Sequence, residues 1–222
     1  MKAMILAAGL GRRMRPLTDE TPKPLLRVGG RPLIEHQIEQ LRDAGFRELV
    51  INTAWLGEQL EQALGDGTAL GVHIQYSREG QPLETAGGIV QALPLLGDEP
   101  FAVVNSDIFT DYDPVRLPRA PDGLAHLVLV DNPAHNARGD FGLDAHGRID
   151  DNAAGRLTFA GIGIYRPELF ADLESGERKL APLLQAAAAR GKVTGERHTG
   201  AWLDVGTPER LEQLDQQLRG LS

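Results

Sequence analysis

The 222-residue chain has no cysteine at all. Disulfides, thiolate metal sites and a cysteine nucleophile are therefore excluded, and the composition fits a cytoplasmic setting. No excess of positive charge exists either: the net charge is −8, which argues against general nucleic-acid binding. No apolar run approaches the length of a membrane span, so no membrane association is expected, and the apolar segment near the N-terminus reads as a strand and not as a signal peptide. His126, His135 and His146 share neither an H-x-x-x-H spacing nor a common face, which gives no basis for a zinc site. Two familiar phosphate loops are also missing. Gly9-Leu10-Gly11-Arg12-Arg13-Met14 has methionine where the dinucleotide fingerprint needs its third glycine, and Pro16 interrupts the helix that should follow. The Gly191-Lys192 pair is followed by Val193, not by the Ser or Thr of a P-loop.

What is present is concentrated in Lys2–Leu26. Met4-Ile5-Leu6-Ala7 reads as a short buried strand that stops at a glycine. Ala8-Gly9-Leu10-Gly11 is a turn with side chains small enough for backbone N–H groups to approach a ligand closely. Arg12, Arg13 and Arg15 then bring three permanent charges together, and Lys23 adds a fourth between two prolines. A strand, a small-residue turn and clustered cations make a site for a polyphosphate.

The rest of the chain alternates strands with helices. Ile34, Ile38 and Leu41 recur at helical spacing before Gly45, and Glu48–Thr53 is a second strand, which implies a parallel pair with a right-handed crossover. A helix over Leu56–Leu64 and a strand over Val72–Tyr76 follow. Glu79–Gly88 reads as a loop running into a helix at Ile89–Leu93, and Phe101–Val104 as another buried strand ending at Asn105-Ser106-Asp107. Ligands of open parallel sheets bind at the carboxyl ends of strands, where Asp107 falls; alone, it reads equally well as a turn or cap residue. Tyr112–Gly123 is a surface connection, Ala125–Val130 a strand, and Phe141–Leu143 with Arg148-Ile149 a hairpin across Ala145–Gly147. Leu157–Tyr165 is a strong strand and Lys179–Arg190 a helix. Val193 leads into a last strand at Ala201–Pro208, which Thr207 and Pro208 convert into a final helix with Leu211, Leu214 and Leu218 on one face. With 222 residues the chain can bury a substantial core as one large domain, or one domain plus a small appendage, and a single domain spanning 1–222 is expected. The fold class is α/β: a Rossmann-like, mixed but mainly parallel sheet flanked by helices, with a small β-hairpin insertion.

The opening stretch closely resembles the signature of sugar-1-phosphate nucleotidyltransferases, L-A-A-G-x-G-x-R-x-x-P-x-T, then P-K-x-L, then G-x-P. Here these are Leu6–Thr18, Pro22-Lys23-Pro24-Leu25 and Gly30-Arg31-Pro32. Trp202-Leu203-Asp204-Val205-Gly206-Thr207-Pro208 matches a second landmark of that family, W-x-D-V-G-T-P. Without the resemblance Asp204 reads as a turn residue before a capped helix.

The resemblance implies a nucleotide-binding part at about 1–110 and a sugar-binding part at about 111–222. It implies that Ala8, Gly9, Gly11 and Arg12 cradle the triphosphate, that Arg13 and Lys23 are the catalytic cations, and that Asp107 and Asp204 hold Mg2+. Leu83 and Gly87, in a stretch similar to the family's P-L-G-T-A-G, are implied to hold the base, although Glu84 stands where glycine is usual. Asn105, Asp140, Gly142 and Asn152 are implied to contact the sugar phosphate; the family's E-K-P is missing, and Asp150-Asp151-Asn152 stands at about its place. The implied partners are a nucleoside triphosphate and a sugar 1-phosphate. The compact length, the N-S-D-I and R-G-D-F-G-L segments and the absent E-K-P resemble the members that use UTP and N-acetylmuramate 1-phosphate in peptidoglycan sugar recycling. Mannose-1-phosphate guanylyltransferases rank second, and glucose-1-phosphate thymidylyl- or uridylyltransferases third. A sensor that binds nucleotide sugars without turnover would be expected to lose Lys23 or an aspartate; all three are present.

Overall fold

A computed structural model describes residues 1–150 and 155–220 of the chain. Strand β1 (Ala3–Leu6) lies inside an eight-stranded sheet. Helix α1 (Leu33–Asp43) leads to β2 (Glu48–Thr53), parallel to β1, and α2 (Gly57–Leu64) leads to the edge strand β3 (His73–Arg78). Helix α3 (Glu84–Leu96) then crosses back, and β4 (Phe101–Asn105) pairs parallel with the other side of β1. After β5 (Ile108–Thr110) come β6 (Ala125–Val130), β7 (Phe141–Gly142) and the long β8 (Arg156–Tyr165). Helix α4 (Leu180–Ala188), β9 (Val193–His198), β10 (Trp202–Asp204) and α5 (Pro208–Arg219) complete the chain. The sheet order is β9-β6-β8-β4-β1-β2-β3, with β7 paired to β8. Every antiparallel pairing in this sheet involves β8; the others are parallel.

Side-chain alternation along the strands divides the interior between the two faces of the sheet. Ala3, Ile5, Leu49 and Ile51 point to a cluster capped by Ile34, Ile38 and Leu41 of α1. Met4 and Val50 point the other way, onto Ala86, Ile89 and Ala92 of α3. A third, smaller cluster joins Met14 and Leu26 of the opening loop to Val205 and to Leu214 of α5. Thr207 caps α5 by accepting the Arg210 N–H, with Pro208 in the first turn.

Several elements differ from expectation. Helix α3 starts at Glu84, so Gly87 and Gly88 are helical residues and not part of a loop. Each glycine costs about 1 kcal/mol of helix propensity, but both are needed for packing. A side chain at Gly87 would fall on the Gly176 carbonyl oxygen, and one at Gly88 would meet Glu79 Oε1 at 2.6 Å. The segment after Val193 is its own edge strand, β9, parallel to β6; its Thr, Gly, Glu and Arg hid the pattern. The last short strand, β10, pairs instead with the unexpected β5, antiparallel, with Asp204 opposite Ile108. The expected hairpin is present as one bridge, Leu143 to Ile149, while Phe141–Gly142 pairs with Arg156 and Leu157 of β8. Among the described residues no helix is long and apolar enough to cross a membrane.

All three tyrosines are held back from ionising, mainly by burial. Tyr76 is pushed up to about 12, and Tyr112 and Tyr165 further. The phenolate absorbance at 295 nm is therefore expected to stay flat through pH 10 in the folded protein. The unfolded chain releases these protons near pH 10, so stability should fall as pH rises above that value. A stepwise rise in absorbance centred at pH 10 without unfolding would contradict the packing described.

Candidate active site

Strands β1 and β4 end side by side, and the Ser106 N–H donates to the Leu6 carbonyl at 3.1 Å. The chain leaves β1 toward β2 on one side while β4 sits on the other, a reversal that leaves a crevice at the carboxyl ends. A cleft of about 430 Å³ opens there. Ala8, Gly9, Gly11, Arg12, Arg13 and Lys23 line it from the opening loop; Leu83, Asn105 and Asp107 face them. The structure thus brings together the residues expected at the triphosphate with three of those expected at the base, sugar and metal.

The opening loop is shaped by its own packing. Gly11 takes a left-handed conformation (φ 59°), and a side chain there would press on Thr18 Cγ2 at 2.8 Å. The Thr18 hydroxyl donates to the Gly11 carbonyl at 2.8 Å. Met14, the residue that spoils the dinucleotide fingerprint, is fully buried in the third cluster and anchors the loop. Arg12 and Arg13 remain exposed at the mouth.

Asp107 and Asp204 come together through the β5–β10 ladder, where the Val205 N–H donates to the Asp107 carbonyl at 2.7 Å. Lys23 Nζ lies 2.5 Å from Asp107 Oδ2. Asp204 Oδ1 accepts from Arg210 and lies 3.0 Å from His135 Nε2. Each carboxylate keeps its other oxygen free of protein donors among the described residues. Those residues contain no cluster of three or more His, Asp or Glu able to hold a metal. The donor set fits a hard cation that takes two carboxylates and fills its shell with water and phosphate oxygens, as magnesium does.

The sequence profile described as nucleotidyl transferase matches residues 2–219. The chain belongs to the nucleotidyl transferase family. It is 56% identical over 222 residues to N-acetylmuramate α-1-phosphate uridylyltransferase of Neisseria meningitidis, an alignment covering 96% of each chain. The Caulobacter vibrioides protein of the same name is 36% identical, over 93% of this chain and 92% of its own. Mannose-1-phosphate guanylyltransferase catalytic subunit beta of Drosophila pseudoobscura is 33% identical, over 94% of this chain and 60% of its own. A Bacillus anthracis protein assigned as a glucose-1-phosphate thymidylyltransferase, crystallised with sucrose, superimposes with a TM-score of 0.86 over 100% of this chain and 96% of that one. At 22% identity this last likeness establishes the fold alone.

In this nucleotidyl transferase the glycine-like position of the P-L-G-T-A-G stretch is met without glycine: Glu84 itself adopts a left-handed conformation, φ 60°. That conformation costs an L-residue about 1–2 kcal/mol, and it is held because Leu83 and Ala86 bond the backbone of Arg178 on both sides. Gly87 lies one turn into α3 against Gly176, outside the cleft lining. A second cavity, of about 510 Å³, adjoins the first through Glu84, Thr85 and Asn105 and is walled by Asp140 and Phe141. Gly142 is buried in β7 beside it. Asn152 lies outside the described residues.

Sequence reasoning missed a buried polar chain beneath the cleft. Asn52 Oδ1 accepts the Ala7 N–H at 2.8 Å, and its amide donates to Glu79 Oε1 at 2.7 Å. Glu79 Oε2 accepts the Leu83 N–H at 2.9 Å. Burial raises the Glu79 carboxyl above its ordinary range, opposed by these two bonds. The chain ties the phosphate loop to the loop at α3. A polar Asn inside the apolar run E-L-V-I-N-T was the available signal, since buried polar groups are the informative exceptions. Glu79→Gln replaces one acceptor by a donor and should lower unfolding free energy by about 1–3 kcal/mol. Urea denaturation checks this; an unchanged midpoint would show that the bonds carry no net stability.

Proposed function

We propose that this chain transfers a uridylyl group from UTP to N-acetylmuramate α-1-phosphate, yielding UDP-N-acetylmuramate and pyrophosphate. The observation that carries the reading is the 56% identity, over 96% of both chains, to the Neisseria protein of that activity. We place the reaction in the cytoplasm, within the recycling of peptidoglycan sugars, and assign triphosphate binding to about residues 1–110 and sugar binding to about 111–222.

A sugar 1-phosphate brings its own nucleophile. Phosphate monoesters lose their second proton near pH 6, so the attacking oxygen is largely anionic at neutral pH and needs no general base. The barrier is repulsion between two polyanions, and the cleft's chemistry addresses that. The Ala8–Arg12 turn lines the cleft, and its backbone N–H groups would receive the β- and γ-phosphates. Arg13 would neutralise charge building on the departing pyrophosphate. Lys23, held at the carboxylate of Asp107, would stabilise the α-phosphate as it is attacked. Asp107 and Asp204 would hold magnesium, which when bound supplies charge neutralisation between the two phosphates. Leu83, with Glu84 and Thr85, is assigned to the base side, and Gly87, which lies outside the cleft lining, only to the packing of α3 behind it; Asn105, Asp140, Gly142 and Asn152 are assigned to the sugar phosphate. The arrangement suits one in-line displacement with no covalent intermediate.

The test is pyrophosphate release with magnesium, crossing UTP, GTP and dTTP against N-acetylmuramate, mannose and glucose 1-phosphates. Release with UTP and N-acetylmuramate 1-phosphate alone is expected; release with GTP and mannose 1-phosphate would replace the substrate assignment. Lys23→Ala should lower kcat on the order of 10²–10³-fold, the range for losing one preorganised charge donor, while the circular dichroism spectrum stays native. Asp107→Ala and Asp204→Ala should each abolish the magnesium dependence; wild-type rates in either would remove that carboxylate from the metal site.

A further inference from the structure

The second cavity, of about 510 Å³, is built in two parts. Phe141, Phe159, Leu180 and Leu184 make an apolar wall, and Lys179 stands at its rim just before α4. Of the other charges in the cavity, Glu84 is exposed where it meets the first cleft, whereas Asp140 and Arg156 are committed. Asp140 Oδ1 accepts from Asn136 at 3.1 Å and Oδ2 from the Phe159 N–H at 2.8 Å. Arg156 donates to the Asp140 carbonyl oxygen. Lys179, in contrast, has no hydrogen bond or ion pair among the described residues and is exposed. An uncommitted cation beside an apolar wall, continuous with the reaction cleft through Glu84, Thr85 and Asn105, calls for a ligand group with both an apolar and an anionic portion.

N-acetylmuramate carries such a group. It differs from N-acetylglucosamine by a lactyl ether on the ring, a methyl beside a carboxylate. We infer that the second cavity is the lactyl subsite and that Lys179 is the residue that selects an acidic sugar 1-phosphate over a neutral one. The methyl packs on the wall formed by Phe159 and Leu184, and the carboxylate pairs with the ammonium group of Lys179. Lys179 touches the substrate far from the reacting phosphorus, so it acts on sugar choice and not on the chemical step. The aliphatic stem of the lysine completes the wall while its charged head stays at the wet rim. The inference rests on the proposed N-acetylmuramate substrate and adds the residue that would recognise it.

The experiment compares the wild type, Lys179→Met and Lys179→Arg, with UTP and either N-acetylmuramate 1-phosphate or N-acetylglucosamine 1-phosphate. In Lys179→Met the KM for N-acetylmuramate 1-phosphate should rise on the order of 10- to 100-fold, as loss of one charge-assisted bond predicts. The KM for UTP should not move, and the preference between the two sugars should fall by the same factor. Lys179→Arg should restore most of the preference. An undiminished preference in Lys179→Met, or an equal loss toward both sugars, would overturn the subsite while leaving the uridylyltransferase reading intact. A wild type that uses another sugar 1-phosphate and refuses N-acetylmuramate 1-phosphate would overturn both.

Discussion

The site depends on one ladder contact, the parallel registration of β1 with β4 that ends in the Ser106 N–H to Leu6 bond. It sets the small-residue turn after Leu6 beside the Asn105–Asp107 segment, so the residues we propose for phosphate and for a cation emerge from neighbouring strand ends. Neither segment could be moved by a residue without reversing its side chains between the two cores. An acidic molecule thereby keeps two exposed arginines, Arg12 and Arg13, at one mouth, concentrating positive charge there.

Around that contact the loops are fixed from below and from the side. Met14 and Val205 share a cluster with Leu214 of α5, so the opening loop and the Asp204 strand lean on the same helix. The Asn52–Glu79 chain does the equivalent under the floor, joining the Ala7 N–H to the Leu83 N–H through two side chains. Catalysis by positioned charges needs such supports, because an electrostatic site works only if its dipoles are already oriented before charge develops.

Much of this was legible in the sequence. The apolar runs at Met4, Glu48 and Phe101 announced buried parallel strands, and the ordered Gly, Arg, Pro and Lys of the first loop announced the family. What escaped were features created by tertiary packing. Gly87 and Gly88 read as loop because propensity counts against glycine in helices, whereas their lack of a side chain is what lets α3 approach Gly176 and Glu79. Strand β5, three residues after a turn, has no periodicity long enough to detect. The partners of Asp204, His135 and Arg210, come from a loop and from α5, and no local pattern joins them. Glu84 was read as a departure from glycine; the structure shows the backbone keeping the glycine-like conformation with a glutamate in place.

The antiparallel pairing of β10 with β5 has a temporal side. Asp107 is made before the middle of the chain, but its neighbour Asp204 and the helix that steadies both loops are among the last segments to leave the ribosome. A domain generally folds as a unit, so a nascent chain that lacks these last segments also lacks part of what steadies its opening loop. It cannot own a complete pair of carboxylates until translation is nearly finished. The second carboxylate and the helix that steadies the opening loop thus arrive together, so the loop gains its support in the same stretch of synthesis that brings Asp204 beside Asp107.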